Sequence, residues 1–100
     1  MSEEILIQCV ITTGTFASEY FAKIQYGNKS IWEGAVDKGL IPEIGGRVSE
    51  DNYVPAYLSA YLLKYHNSDM AVVEVPSDEW TKENKILVPK NMIKPARHHA

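Results

Sequence analysis

Residues 53 to 66 read Tyr-Val-Pro-Ala-Tyr-Leu-Ser-Ala-Tyr-Leu-Leu-Lys-Tyr-His, and two periodicities fit them. With a period of 3.6, Val54, Tyr57, Leu58, Tyr61, Leu62 and Tyr65 fall on one stripe. Pro55 then occupies a first turn, Asp51 or Asn52 caps it, and Asn67 ends it. With a period of two, Val54, Ala56, Leu58, Ala60 and Leu62 form one apolar face, while Tyr53, Tyr57, Tyr61 and Tyr65 line the other. The first reading gives an α+β protein with a helix at residues 53–66 on an antiparallel sheet. The second gives an all-β protein.

The flanks supply strands on either reading. Downstream, His66-Asn67-Ser68-Asp69 is a hairpin turn returning through Met70-Ala71-Val72-Val73-Glu74-Val75. Residues 76 to 85 are a polar connection containing Trp80, and Ile86-Leu87-Val88 is a short last strand stopped by Pro89. After Ile93 the chain reads as a tail. Upstream, Ile5, Ile7, Cys9 and Ile11 alternate with Leu6, Gln8, Val10 and Thr12, which makes residues 4 to 13 a strand with one strongly apolar face. Residues 20 to 26 follow with Tyr20, Ala22, Ile24 and Tyr26 on one face. Gly27-Asn28-Lys29 is a turn into residues 30 to 36, where Trp32 and Val36 share a face and Gly34 between them marks a bend or bulge. Residues 37 to 52, with Pro42, Gly45 and Gly46, read as a long loop of the kind that often carries function.

One hundred residues, 45% hydrophobic and 23% charged, fit a single domain over residues 1–95 with a tail at 96–100. A chain of this size hides roughly two-thirds of its unfolded surface, enough for one core but with little left for a deep private active site. The net charge of −3 argues against generic binding to phosphate backbones. The charge is uneven: residues 81 to 100 carry five basic and one acidic side chain (+4), residues 1 to 80 five basic and twelve acidic (−7). A basic end lying over an acidic body is the plainest account. Cys9, the only cysteine, forms no internal disulfide, which fits a reducing compartment and so a cytoplasmic location. Met1-Ser2-Glu3-Glu4 carries acid where a secretory signal carries Lys or Arg, and no apolar run approaches the ~18 residues of a membrane span.

Several short strands punctuated by Gly and Pro point to a small barrel. The ending Ile86-Leu87-Val88-Pro89-Lys90-Asn91-Met92-Ile93 resembles the close of SH3-type domains. There a strand meets a proline, makes one 3₁₀ turn through an asparagine, and re-enters the barrel at a β-branched residue. Gly14-Thr15-Phe16-Ala17-Ser18-Glu19 and Val36-Asp37-Lys38-Gly39-Leu40-Ile41 also resemble small bacterial SH3-like proteins of unassigned function. The resemblance covers about a fifth of the chain, and it implies an SH3-like barrel of five to six strands with residues 54 to 65 as a strand. It does not extend to polyproline recognition. Residues 5 to 12 are Ile-Leu-Ile-Gln-Cys-Val-Ile-Thr in place of Ala-Leu-Tyr-Asp-Tyr, and Trp32 is followed by Glu33 rather than a second tryptophan.

Motifs for chemistry are sparse. Cys9 on an apolar face reads as a small buried hydrophobe, since nothing near it in sequence lowers a thiol pKa. His66 and Asp69 flank a turn and His98 with His99 end the chain, so no metal site is expected. Ser68, His66 and Asp69 lie too close together to orient one another as a triad, and no Gly-x-Ser-x-Gly elbow exists. Glu3 with Glu4 and Asp78 with Glu79 sit at an end or in a loop, where burial does not raise a carboxyl pKa. Gly45-Gly46-Arg47 has the composition of an anion-binding nest, though two glycines and one arginine carry little weight.

The tyrosines remain. An exposed face bearing Tyr53, Tyr57, Tyr61 and Tyr65, with Trp80 near it, is the expected interaction surface, because tyrosine offers contact area and a hydrogen-bonding tip. The resulting expectation is a non-enzymatic binding or assembly module without cofactors that self-associates or docks a protein partner. The alternative is a small-molecule binder or enzyme whose pocket forms between subunits from Tyr, Trp and residues 37 to 52. Nucleic acid comes third.

Overall fold

A computed structural model describes residues 3–76 and 84–96. Eight strands run in chain order: β1 Glu3–Thr13, β2 Glu19–Tyr26, β3 Lys29–Asp37, β4 Glu43–Ile44, β5 Val54–Tyr65, β6 Met70–Glu74, β7 Lys85–Pro89 and β8 Ile93–Pro95. All pairings between them are antiparallel. The order β3-β2-β1-β5-β6-β7 curls until β3 and β7 touch, with β4 on β5 and β8 on β1. The result is a small, nearly closed all-β barrel, compatible with an SH3-like arrangement. Among the described residues no helix is long and apolar enough to cross a membrane.

Within residues 53 to 66, Val54–Tyr65 resolve as strand because of what they face. β5 pairs with β1 from Glu3↔Leu62 to Ile11↔Val54, which sets Ile5 opposite Ala60, Ile7 opposite Leu58 and Cys9 opposite Ala56. Ala60 leaves room for Ile5 and Ala56 meets the small Cys9, while Leu58 packs beside Ile7, all on one buried face. Ile5, Ile7, Ile11, Ile24, Leu58, Val73, Val75 and Val88 are fully buried, and among the described residues no polar or charged side chain is. Each such aliphatic side chain contributes roughly 1.5–3 kcal/mol by leaving water. A helix here would leave the long edge of β1 without these partners.

Both central strands are shared. On one edge β1 pairs with β8 at Ile5, Leu6 and Ile7, then with β2 from Val10 to Thr13. On its far edge β5 pairs with β4 at Ala56 and Tyr57, then with β6 from Tyr61 onwards. The strand–proline–3₁₀–strand ending is present: β7 closes at Pro89, Lys90–Met92 make the 3₁₀ turn, and Ile93 opens β8. The stretch just after Ile93 is therefore strand rather than tail.

Three further details depart from the sequence reading. Within residues 37 to 52, Lys38–Leu40 form a 3₁₀ turn capped by Asp37, whose Oδ1 accepts from Gly39 N at 2.8 Å, and Glu43–Ile44 pair as β4. The register shift in the β2–β3 hairpin lies at Ile24/Gln25 and not at Gly34, which pairs in register with Ala22. Tyr26, which alternation places with Ile24, sits beyond the core at the hairpin end and is exposed. There Gly27 adopts φ +62° at the first position of a two-residue turn, a backbone that side chains disfavour. The connection at 76 to 85, expected to be polar, lies largely outside the described residues.

Candidate groove at the fork of the central strands

Gln8 and Cys9 lie in the fork of β1, between the stretch paired with β8 and the stretch paired with β2. A groove of about 540 Å³ opens there. Its apolar floor comes from the buried side chains of Cys9, Ala56 and Met92, and its walls from Gln8, Gln25, Glu43, Ile44, Pro55 and Tyr57. Gly45 N donates to Pro55 O at 2.8 Å, which ties β4 and its following loop to the groove edge. Thr12 Oγ1 donates to Ser49 O at 2.6 Å and holds the rest of that loop.

The nest that Gly45-Gly46-Arg47 weakly suggested is not formed. Neither Gly45 nor Gly46 takes the positive φ that an alternating-handed nest requires, and the Gly45 N–H is already committed to Pro55. Cys9 is buried as expected, and burial pushes its thiol pKa up to about 12, so it stays protonated and unreactive at neutral pH. His66, Ser68 and Asp69 are exposed in the β5–β6 turn, where Asn67 Oδ1 accepts from the backbone N–H groups of Asp69 and Met70 at 2.8 and 2.9 Å. Among the described residues no group of three or more His, Cys, Asp or Glu could hold a metal. His98, His99, Asp78 and Glu79 lie outside the described residues.

The four tyrosines do not form one stripe. Tyr57 and Tyr61 face outward from β5, opposite Gln8 and Glu4 on β1. Between Leu62 and Lys64 the register shifts, so Tyr65 pairs with the buried Ala71 and turns to the rim of the barrel. The bulge inserts one residue and exchanges the faces of everything after it. Tyr53 precedes the strand. Three of the four carry a lysine: Lys23 Nζ lies 4.6 Å from the Tyr53 ring, Lys94 Nζ 4.0 Å from Tyr57, and Lys90 Nζ 4.7 Å from Tyr65. Tyr61 is 40% exposed and Tyr57 half-buried. Trp80 lies outside the described residues.

Lys94 contributes more than its place near the chain end implied. From β8, where it pairs with Leu6, it reaches over the outer face to Tyr57 on β5 and bonds Glu43 Oε1 on β4 at 2.8 Å. This contact is one ion pair between the basic C-terminal segment and the acidic remainder of the chain. Alternation does place Gln8 outward. Glu43, Ile44 and Lys94, however, become neighbours of Tyr57 only once four strands are in register. Three residues of the 37 to 52 stretch, Glu43, Ile44 and Gly45, line the groove with Tyr57, and one chain suffices to build it. Comparison with known proteins gives no assignment: no family model, curated protein or solved structure matches the chain.

Proposed function

We propose that the protein is a non-enzymatic binding module that docks an extended polypeptide segment in the groove beside Tyr57. The observation that carries this reading is the groove's lining, in which Gln8, Gln25 and Tyr57 stand around an apolar floor. Carboxamides both donate and accept, which suits the alternating N–H and C=O of a peptide, and the floor takes an apolar side chain. Ile44 in the groove wall is exposed, and so is Tyr61, which follows Tyr57 on the outward face of β5. The chemistry at hand favours holding over transforming a ligand, since the Cys9 thiol stays protonated and Glu43 is engaged by Lys94.

The test is selection of peptides from a displayed random library. Wild type should enrich a family of sequences whose binding is lost in Tyr57→Ser and Gln8→Ala and retained in Tyr65→Ser, because Tyr65 lies at the barrel rim. Failure to enrich any sequence, or equal binding by Tyr57→Ser, refutes the reading. A second reading is favoured by the groove's volume, which lies within the ~300–1,000 Å³ range of small-molecule sites. A metabolite that raises the melting temperature of wild type but not of Tyr57→Ser would establish it.

A further inference from the structure

We infer that Tyr57 and Glu43 form a receptor for a lysine or arginine side chain of the docked segment, and that the protein's own Lys94 occupies this receptor when no partner is bound. The inference rests on the groove reading above and names the chemistry of the partner. An aromatic face and a carboxylate converging on one ammonium are the elements of cation recognition, one supplying the ring quadrupole and the other a charge-assisted hydrogen bond. Both elements line the groove, whereas Lys94 is absent from its lining and arrives from β8 across β1. The ammonium is thus a stand-in placed from outside onto two groove residues.

Exchange is open to it. The side chains of Lys94 and Glu43 are 36% and 47% exposed, and ion pairs of that kind hold weakly. A smaller depression of about 210 Å³, which does not share its lining with the groove, is lined among others by Glu3, Tyr65, Lys90 and Lys94. It offers the displaced side chain both room and a carboxylate. The remainder of the groove wall is uncharged, so a single cationic side chain set in an otherwise neutral extended segment complements it.

The probe is n-butylammonium, a lysine side-chain mimic, titrated into the full chain and followed by NMR at the Tyr57 ring and the Gln8 carboxamide. Lys94→Ala, which vacates the receptor, should bind it saturably and about fivefold or more tighter than wild type. The double variants Lys94→Ala/Glu43→Gln and Lys94→Ala/Tyr57→Ser should lose that binding, and n-butanol should not reproduce it. The melting temperature of each variant confirms that it is folded. Equal affinity in wild type and Lys94→Ala overturns the inference, as does binding that survives loss of Glu43 and Tyr57, or no binding to Lys94→Ala. The two readings fail separately. Selected peptides that depend on Tyr57 but carry no Lys or Arg keep the groove and remove its cation receptor, whereas an empty selection beside saturable n-butylammonium binding removes the extended-segment reading and keeps the Tyr57–Glu43 cation site.

Discussion

Burial of Cys9 makes the stability of this barrel depend on alkaline pH in a calculable way. The thiol pKa stands near 12 in the folded chain against 9.0 for an unperturbed thiol, and desolvation by the surrounding core is the cause. Only the unfolded chain can release this proton between those values, so there it binds fewer protons than the folded one and stability falls as pH rises. The contribution is intact below pH 9 and is lost progressively up to pH 12, at about 1.4 kcal/mol per pH unit. Tyrosines and lysines titrate in the same range, so the comparison is with Cys9→Ala, in which they remain. At neutral pH the variant should be about 1 kcal/mol less stable, from the small cavity opposite Ala56. Urea unfolding under reducing conditions at pH 7.5, 9, 10 and 11 should show that gap closing and then reversing, with wild type losing about 3 kcal/mol relative to the variant by pH 11. Parallel curves across the series would refute the argument, and so would rapid labelling of the native thiol by a disulfide reagent at pH 8.

Two substitutions separate the inner and outer faces of β5, and a third tests a turn. Leu58→Ala removes a fully buried side chain opposite Ile7 and should cost about 2–5 kcal/mol in urea unfolding, whereas Tyr61→Ser, on the outward face, should stay within about 0.5 kcal/mol. A comparable loss in both would mean that β5 is not oriented as described. In the β1–β2 turn, a Cβ on Gly14 would stand 2.6 Å from the Glu19 carbonyl oxygen, closer than real contacts allow, so Gly14→Ala should destabilise by about 1–3 kcal/mol. Gly46→Ala, whose Cβ meets only the Val54 side chain at 3.4 Å, should be nearly neutral by the same measurement.

The barrel was legible where one strand states its own pattern. The β-branched run in which Ile5, Ile7, Cys9 and Ile11 alternate with Leu6, Gln8, Val10 and Thr12 marks β1 and its core face, although Leu6 on the opposite face is buried too. Residues 53 to 65 could not be settled alone, because a spacing of four is common to both periods. It is close to one helical turn and equal to two strand repeats, so tyrosines at 53, 57, 61 and 65 satisfy either. What decides is the small size of Ala56 and Ala60, and that becomes informative only with Cys9 and Ile5 opposite them. The bulge that parts Tyr65 from Tyr61 has no local signature, since Leu62-Leu63-Lys64 contains neither glycine nor proline. β4 was hidden for another reason: two residues are too few to show a period.

A core this small is filled by its own side chains, so concavity must arise where the sheet divides rather than inside it. Both central strands fork, β1 around Gln8 and Cys9 and β5 beyond Tyr57. The groove lies at the first fork because the inward pair there, Cys9 with Ala56, is the smallest along the β1–β5 interface. Its neighbours Ile7 with Leu58 and Ile11 with Val54 are bulkier and leave no gap. Around that gap the outward residues of the same two strands, Gln8 and Tyr57, are polar and aromatic where Leu6 nearby is apolar and buried. Small inward and polar outward side chains at the place where β1 changes partners are what give this barrel a surface groove without opening its core.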